Sequence, residues 1–177
     1  MSSVSTHETV SRVPMTTSSL RETLSRFATG VIVLSVGGDN IHGMTANAFS
    51  SVSLEPPKVL CCVSHSAVMH KSIISAQHFG ISVLGAEQEH LARHFADKNR
   101  PLGHEQFSGF DWTPGPVTRS PLMKGALAWL ECELAEYHDS GDHSIFIGDV
   151  VNASSSAGTA GLLFFNGEFQ PISSITE

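Results

Sequence analysis

The chain has 177 residues, which suits a single domain, and its 41% hydrophobic content excludes disorder throughout. A formal net charge of −7 argues against nucleic-acid binding, which depends on Lys and Arg to neutralise phosphates. No segment approaches the ~18 consecutive apolar residues of a membrane-spanning helix. The polar N-terminal stretch lacks the apolar centre of a signal peptide. We therefore expect a cytoplasmic protein that contacts neither nucleic acid nor membrane.

The N-terminal stretch 1–16 is rich in Ser and Thr without periodicity, so we predict a disordered tail before one domain over 17–177. A short helix is predicted next, because Ser19 and Glu22 have the spacing of a capping box. Its apolar residues recur at helical spacing, at Leu20, Leu24 and Phe27. We expect this helix to cover one face of a sheet.

Most of the remaining chain predicts strands. Single strands are expected at 31–36, 58–63, 79–84, 126–138 and 143–151, and one more is expected to run from Ile41 to the prolines at 56 and 57. A hairpin that turns at Asn166 and Gly167 is expected over 162–172. In the strand at 126–138, Leu130, Cys132 and Leu134 alternate with two glutamates, which predicts one buried face and one wet face. Helices are predicted after Ser64 or Ser66, either of which could cap the first, and over 87–96 with Leu91 and Phe95 buried.

The order of these elements predicts a fold. Hairpins are frequent and β-α-β alternation is absent, which favours a mainly β protein, an antiparallel barrel with helices packed around it. The segment 97–124, rich in proline and aromatic residues, is predicted to be a long surface segment. The three cysteines form no spaced pairs, so we predict reduced, buried thiols.

The stretch 43–57 is the strongest candidate for a ligand site. Short hydroxylated and amide side chains interrupt an otherwise apolar strand there, so a ligand could approach the backbone closely. Two other stretches leave alternatives open. Ser64, His65 and Ser66 suit a phosphate at a helix start or ordinary capping, and Gly141-Asp142-His143 is either a plain turn or a turn that projects a functional histidine.

Several kinds of chemistry are disfavoured by the sequence. The common glycine-rich phosphate loops and the G-x-S-x-G elbow are absent. His90 and His94 have metal-ligand spacing on a helix, but Leu91 and Phe95 define its buried side, so both histidines are predicted to face solvent. We expect no metal site.

The chain resembles the short-chain flavin reductases of two-component flavin-dependent monooxygenases. The resemblance rests on seven motifs in order: F-A-T-G-V at 27–31, H-G-M-T-A-N-A-F at 42–49, S-V-S-L-x-P-P at 51–57, F-x-I-S-V-L at 79–84, F-A at 95–96, G-D-H at 141–143 and L-L-F-F-x-G at 162–167. It implies a Greek-key split β-barrel of the FMN-binding type that forms a homodimer, with flavin near the subunit interface.

The resemblance also implies which residues bind and act. Flavin-binding residues would be Thr45, Ala46, Asn47, Ala48, Ser50, Ser51, Ser64, His65, Ser66, Met69, Arg93 and Phe95. His143 would be the catalytic residue beside the nicotinamide, with Phe165, Asn166 and Gly167 shaping that side. It remains open which of His70, Lys71 and Arg93 contacts the flavin phosphate.

The predicted activity is reduction of free FAD or FMN by NADH or NADPH, with the reduced flavin passing to a partner monooxygenase. Hydride transfer between nicotinamide and flavin needs close stacking rather than a nucleophile, so the absence of a catalytic triad is consistent with it. Two alternatives remain: an electron carrier that keeps its flavin, and a non-catalytic flavin-binding module.

Overall fold

The computed structural model describes residues 14–173. Of the tail predicted over 1–16, residues 1–13 lie outside this range, and the first helix begins at Thr17. The helices are α1 (Thr17–Leu24), α2 (Val68–Ala76) and α3 (Glu89–Ala96), with short 3₁₀ turns at Gly38–Asn40, Ala86–Gln88 and Gly103–Phe107. No helix between residues 14 and 173 is long and apolar enough to cross a membrane.

The strands are β1 (Thr29–Gly30), β2 (Ile32–Val36), β3 (His42–Ala46), β4 (Phe49–Leu54), β5 (Pro57–Ser64), β6 (His78–Val83), β7 (Trp112–Pro114), β8 (Pro121–Met123), β9 (Ala128–Ser140), β10 (His143–Ser155), β11 (Ala160–Phe165) and β12 (Glu168–Ser173). Seven of them form one sheet in the order β3-β2-β6-β9-β10-β5-β4, and every pairing is antiparallel. The predicted mainly β, antiparallel fold is therefore confirmed.

The two edges of this sheet are consecutive in the chain. The single strand predicted from Ile41 to the prolines is wrong, because it breaks at Asn47 and Ala48 into β3 and β4 at opposite edges. A two-residue connection forces the sheet to curl until its edges approach each other, and Cys62 N–H donates to Ala48 O at 3.0 Å. Within residues 14–173 no ladder joins β3 to β4, so the sheet stays open along this line, which we call the seam.

The hairpin of β11 and β12 follows the sequence prediction. Asn166 and Gly167 have φ values of 52° and 82°, which is the left-handed pair that a two-residue hairpin turn requires. Together with β1, these strands form a separate three-stranded sheet. The predicted hairpin is confirmed.

Two hydrophobic clusters hold the fold together. All residues of β2 are buried, and neighbouring residues pack into different clusters: Ile32 and Leu34 into one, Val33 and the preceding Val31 into the other. Met69 of α2 joins the first cluster and Phe95 of α3 the second, and burial of Leu91 and Phe95 confirms the buried face predicted for α3.

Two of the three thiols are buried as predicted. Cys61 and Cys132 are inaccessible, and Cys62 is half-buried. Burial, with the charge of Asp149 as a smaller contribution, raises the pKa of the Cys132 thiol to about 12, so that thiol stays protonated at neutral pH.

The first helix differs from its prediction. Its N-cap is Thr16, whose Oγ1 accepts the Ser19 N–H at 3.2 Å, so Ser19 is not the cap. α1 buries none of its residues against the part of the chain that is described, and the following Phe27 is 75% exposed. The expectation that this helix covers a sheet face is wrong, since none of its apolar residues is buried against residues 14–173.

The segment 97–124 is not the surface segment that was predicted. Its residues Gln106, Phe107, Ser120 and Met123 are buried, and β7 pairs with β8 inside it. Gln106 Oε1 accepts the Gly43 N–H at 2.8 Å, which fixes this segment against the edge strand β3. The aromatic residues Phe107, Phe110 and Trp112 pack into or against the second hydrophobic cluster, whereas three of the four prolines in this segment are exposed.

Glu131 also departs from the prediction, since it lies on the face of β9 that was expected to be wet but is 0% exposed. Its Oε1 accepts from Val117 N–H, Thr118 N–H and Thr118 Oγ1 at 3.1, 2.7 and 2.9 Å, and its Oε2 accepts from Asn152 Nδ2 at 2.8 Å. Burial alone would raise the pKa of this carboxyl, but these hydrogen bonds outweigh it and lower the pKa.

Candidate active site

A cavity of about 690 Å³ opens at the seam, a volume typical of ligand sites. Its walls come from the end of β3, the end of β5, the start of α2, the turn before β10 and the chain after α3. Eight of the sequence-predicted site residues line it together: Thr45, Ala46, Asn47, Ala48, Ser64, Ser66, Phe95 and His143. Residues far apart in the chain thus meet at one site.

The other predicted residues do not line this cavity. Ser50 and Ser51 are exposed on β4, and Met69 is fully buried in the core. His65 faces Ser144 and Asp139 outside the cavity lining. The remaining residues, Phe165, Asn166 and Gly167, lie at the β11–β12 turn, where Asn166 N–H donates to Ser25 O at 2.8 Å.

Of the three residues considered for the flavin phosphate, none lines the cavity of its own chain. Arg93 Nη2 pairs with Glu89 Oε1 at 2.6 Å, and its guanidinium lies 5.3 Å from the centre of the Phe169 ring. His70 Nε2 is 2.7 Å from Ser144 Oγ, and Lys71 is exposed on α2.

The wall formed by β3 combines small side chains with a fixed hydroxyl. Thr45 Oγ1 donates to Ala92 O of α3 at 2.7 Å, so this hydroxyl can only accept a hydrogen bond from a ligand. A Cβ at Gly43 would lie 2.7 Å from Phe95 Cε1, hence only glycine lets the Phe95 ring pack so close to this strand. Ala46 and Ala48 also line the cavity, and their small side chains leave space beside the strand.

The start of α2 is available to an anion. Ala67 occupies the N-cap and makes no side-chain cap hydrogen bond, so the predicted capping by Ser64 or Ser66 is wrong. The two serine hydroxyls instead lie 3.0 Å from each other on the cavity wall. The first N–H groups of a helix carry partial positive charge, and together with two hydroxyls they form a phosphate-binding arrangement.

The turn between β9 and β10 presents His143 to the cavity. Gly141 has φ 64° at the first position of a two-residue connection, as a type II′ turn requires, so the predicted tight turn is confirmed. His143 Nδ1 lies 2.7 Å from Asp142 Oδ1, which leaves Nε2 for a ligand. That hydrogen bond, helped by the His143 charge, lowers the pKa of the Asp142 carboxyl.

A group of cations at one end of the cavity was not anticipated from the sequence. Arg21, Lys98 and Arg100 line it, and no carboxylate between residues 14 and 173 pairs with any of the three. The K-N-R sequence after α3, in a chain that is acidic overall, was the available signal. These residues make this end of the cavity attractive to negative groups.

Arg100 is held by hydrogen bonds to backbone carbonyls and to a neutral histidine. Its Nη1 donates to Asp97 O at 2.6 Å, and its Nη2 donates to Gly43 O and lies 3.1 Å from His42 Nε2. His42 is 4% exposed, and burial, with the Arg100 charge as a second cause, lowers its pKa to about 4. A neutral imidazole accepts a hydrogen bond from Arg100 without cancelling its charge.

Fold and cavity together define an antiparallel β protein whose cavity is lined by small side chains, hydroxyls and cations. A family profile described as flavin reductase like domain matches residues 24–173. An NADH-dependent FAD reductase from Streptomyces globisporus is 48% identical over 151 residues, covering 85% of this chain and 83% of that protein. The chain belongs to the flavin reductase-like family, as the sequence resemblance predicted.

Two further similarities concern reductases of two-component systems. The crystal structure of BorF, the flavin reductase component of a bacterial two-component tryptophan halogenase, superimposes with a TM-score of 0.87 and 45% identity, over 90% of this chain and 99% of BorF. HsaB from Rhodococcus jostii, the reductase subunit of a flavin-dependent monooxygenase, is 33% identical and aligns over 86% of this chain and 76% of HsaB.

Proposed function

We propose that this protein is an NADH-dependent flavin reductase that reduces FAD or FMN and releases the reduced flavin to a separate flavin-dependent monooxygenase. The observation that carries the proposal is the convergence of the β3 wall, the uncapped start of α2 and His143 on one cavity. The activity named for the Streptomyces relative and the reductase role named for HsaB agree with it.

Each part of the cavity has a role in this reaction. A bound flavin supplies the hydride-accepting chemistry, so the protein has only to bind, orient and exclude water. Ala46 and Ala48 leave room for the flavin ring, and Thr45 and Asn47 supply polar atoms at its edge. Ser64, Ser66 and the start of α2 hold the phosphate. His143 positions the nicotinamide against the ring, with Asp142 fixing the imidazole.

The cationic end of the cavity favours dinucleotides. FMN carries one phosphate, for which the start of α2 suffices, whereas FAD and NADH each carry a diphosphate. Arg21, Lys98 and Arg100 are the cations that line the cavity. We assign them to the second phosphate of FAD or to the diphosphate of NADH, because their charges have no carboxylate partner within residues 14–173.

The finer fold assignment is a homodimeric split barrel. The seam is consistent with a barrel that is split between β3 and β4. The edge strand β4 exposes Leu54 at 93%, and the apolar residues Leu20 and Leu24 of α1 are 43% and 60% exposed in the part of the chain that the structure describes. A second copy would cover both surfaces, and it would bring Ser50, Ser51 and the turn 165–167 near a flavin that lies at the interface.

The test is steady-state NADH oxidation by the purified protein with FAD and FMN, repeated with NADPH. We expect flavin-dependent turnover with NADH, and FAD giving the lower KM. Absence of turnover in all four combinations would refute the proposal. Size-exclusion chromatography of the flavin-loaded protein separates the electron-carrier alternative, which predicts that the yellow colour stays with the protein and that NADH is not oxidised.

A further inference from the structure

Four polar side chains meet next to the cavity, but outside its lining. They are His65 at the end of β5, His70 of α2, Asp139 of β9 and Ser144 of β10. His65 Nε2 and His70 Nε2 lie 3.1 and 2.7 Å from Ser144 Oγ, which donates to Asp139 Oδ1 at 2.6 Å. None of the four has a role in the flavin reductase chemistry proposed above.

Three of these side chains offer metal-ligand atoms that lie close together, and a bound ion would replace the contacts of both Nε2 atoms with Ser144 Oγ. Two imidazole nitrogens and a carboxylate oxygen, from His65, His70 and Asp139, all lie within 4.8 Å of one another. His65 Nε2 and Asp139 Oδ1 are 3.4 Å apart, close to the ~3.3 Å edge of a tetrahedron with zinc–ligand bonds of ~2.0–2.1 Å. Four residues separate His65 from His70, a spacing that occurs in zinc sites.

The surroundings of the three side chains also suit a metal. Ser144 is buried and its hydroxyl donates to Asp139, which is the outer hydrogen bond that orients a ligating carboxylate. The His70 ring packs edge-on against Phe146, with ring centres 5.2 Å apart. The side chains of His65 and Asp139 are 40% and 70% exposed, so an ion can reach them from solvent.

We propose that His65, His70 and Asp139 form a binding site for one divalent transition-metal ion of the Zn²⁺ type, with water at the fourth position. Two nitrogen ligands and one carboxylate favour Zn²⁺ or Co²⁺ over Mg²⁺, which prefers oxygen ligands. The pair His65 and His70 was not considered from the sequence, because His65 precedes the helix that carries His70 and no periodicity connects them.

Such a metal would join two walls of the cavity. His65 and His70 flank the serine-rich start of α2, whereas Asp139 and Ser144 lie on either side of the turn that carries His143. The bound ion would therefore brace the phosphate-binding end of the cavity against the β9–β10 hairpin. This inference concerns the chain itself and stands whether or not the protein reduces flavin.

The experiment is calorimetric titration of Zn²⁺ and of Mg²⁺ into the untagged, flavin-free full chain after treatment with a chelator. We expect one Zn²⁺ bound per chain and no saturable binding of Mg²⁺. Replacing a ligand, as in His70→Gln or Asp139→Asn, should weaken Zn²⁺ binding more than tenfold. Ser144→Ala should weaken it by about 10–100-fold, as loss of an outer hydrogen bond does.

His138→Gln is the matched control, because His138 lies beside Asp139 on β9, exposed and 3.2 Å from Glu136. It should bind Zn²⁺ like the unaltered chain. Co²⁺ in the unaltered chain should give the strong visible absorption of a tetrahedral site, a readout that needs no variant. The proposal is overturned by absence of Zn²⁺ binding to the unaltered chain, by binding that survives in both ligand variants, or by loss of binding in His138→Gln alone.

Discussion

Glu131 and Asp142 are two carboxylates whose pKa values are both lowered by hydrogen bonds, yet they lie in opposite settings. Glu131 is fully buried, and both of its oxygens accept from neighbouring backbone or side-chain groups. Asp142 is exposed at a turn and accepts from one partner, His143. The first carboxylate joins three segments of the fold, and the second orients one side chain at the cavity.

The difference shows which polar groups are used within the fold and which remain for a ligand. Buried polar groups are costly unless every donor and acceptor is paired, so the Glu131 cluster contributes to stability and leaves nothing for a ligand. At the cavity, His143 and the start of α2 keep groups that the protein itself does not use. Removing a group from each region should therefore separate stability from activity.

The largest effect is expected at Glu131. Glu131→Leu strands the N–H groups of Val117 and Thr118 and the amide of Asn152 in a buried place, which should lower the free energy of unfolding by about 3–5 kcal/mol. Urea unfolding measures it. Glu133→Leu, at an exposed position of the same strand, is the control and should change stability by less than about 0.5 kcal/mol. Similar losses in both variants would contradict the account.

A pH-dependent effect of similar size is expected at His42. Its pKa is about 4 in the folded chain, against 6.5 for an ordinary histidine, so the unfolded state takes up a proton first as the pH falls. The stability contribution is thus complete above pH 6.5 and is lost between pH 6.5 and 4, by about 3 kcal/mol.

His42→Gln should remove this pH dependence while still accepting from Arg100. Urea unfolding of both proteins at pH 7 and pH 4 gives the comparison, because other titrating groups contribute equally to each. If the difference in unfolding free energy between the two proteins is the same at both pH values, His42 is not the neutral buried base described here.

At the cavity, the effect should fall on turnover alone. His143→Ala removes the side chain that we propose orients the nicotinamide, and kcat/KM for NADH should fall about 10²-fold. Flavin affinity, measured by fluorescence quenching, and the free energy of unfolding should stay within about 0.5 kcal/mol of the unaltered values. Unchanged kcat/KM would remove His143 from the catalytic role.

The smallest effect is expected at the cationic end. Lys98→Gln should raise the KM for FAD about fivefold, which is about 1 kcal/mol, and should leave the KM for FMN nearly unchanged. Lys98 lines the cavity, whereas Lys71 is exposed on α2 and does not. Lys71→Gln is therefore the matched control, and equal effects of the two substitutions would argue for a general loss of positive charge.

Sequence patterns correctly predicted the turns and the helix face that depend on residues close together in the chain. Asn166 with Gly167 and Gly141 with Asp142 specify two-residue turns, and both hairpins form as expected. The buried side of α3 follows from the spacing of Leu91 and Phe95. Each of these features depends on residues that are neighbours in the sequence.

Features that depend on residues far apart in the sequence were missed, because sequence patterns do not show which distant residues come together. The burial of Glu131 requires donors from residues 117, 118 and 152, and strand alternation carries no information about them. Arg100 is held at the cavity by contacts with His42 and Gly43. Both residues lie on a strand that is distant from Arg100 in the sequence. Small and hydroxylated residues predicted a ligand site at 43–57, and the end of β3 does line the cavity, whereas the cationic end needed the assembled fold.

The place of the β9–β10 hairpin in the sheet has a consequence for folding. β2 with β3 and β4 with β5 are local hairpins, and within residues 14–173 the sheet connects them through β2–β6, β6–β9 and β5–β10 pairing over long sequence separations. Such nonlocal pairing is the slow part of folding, since loop closure must precede it. The same docking step brings His143 to the start of α2. A chain that has not joined its two halves has no assembled cavity, so flavin binding during refolding should report completion of the sheet.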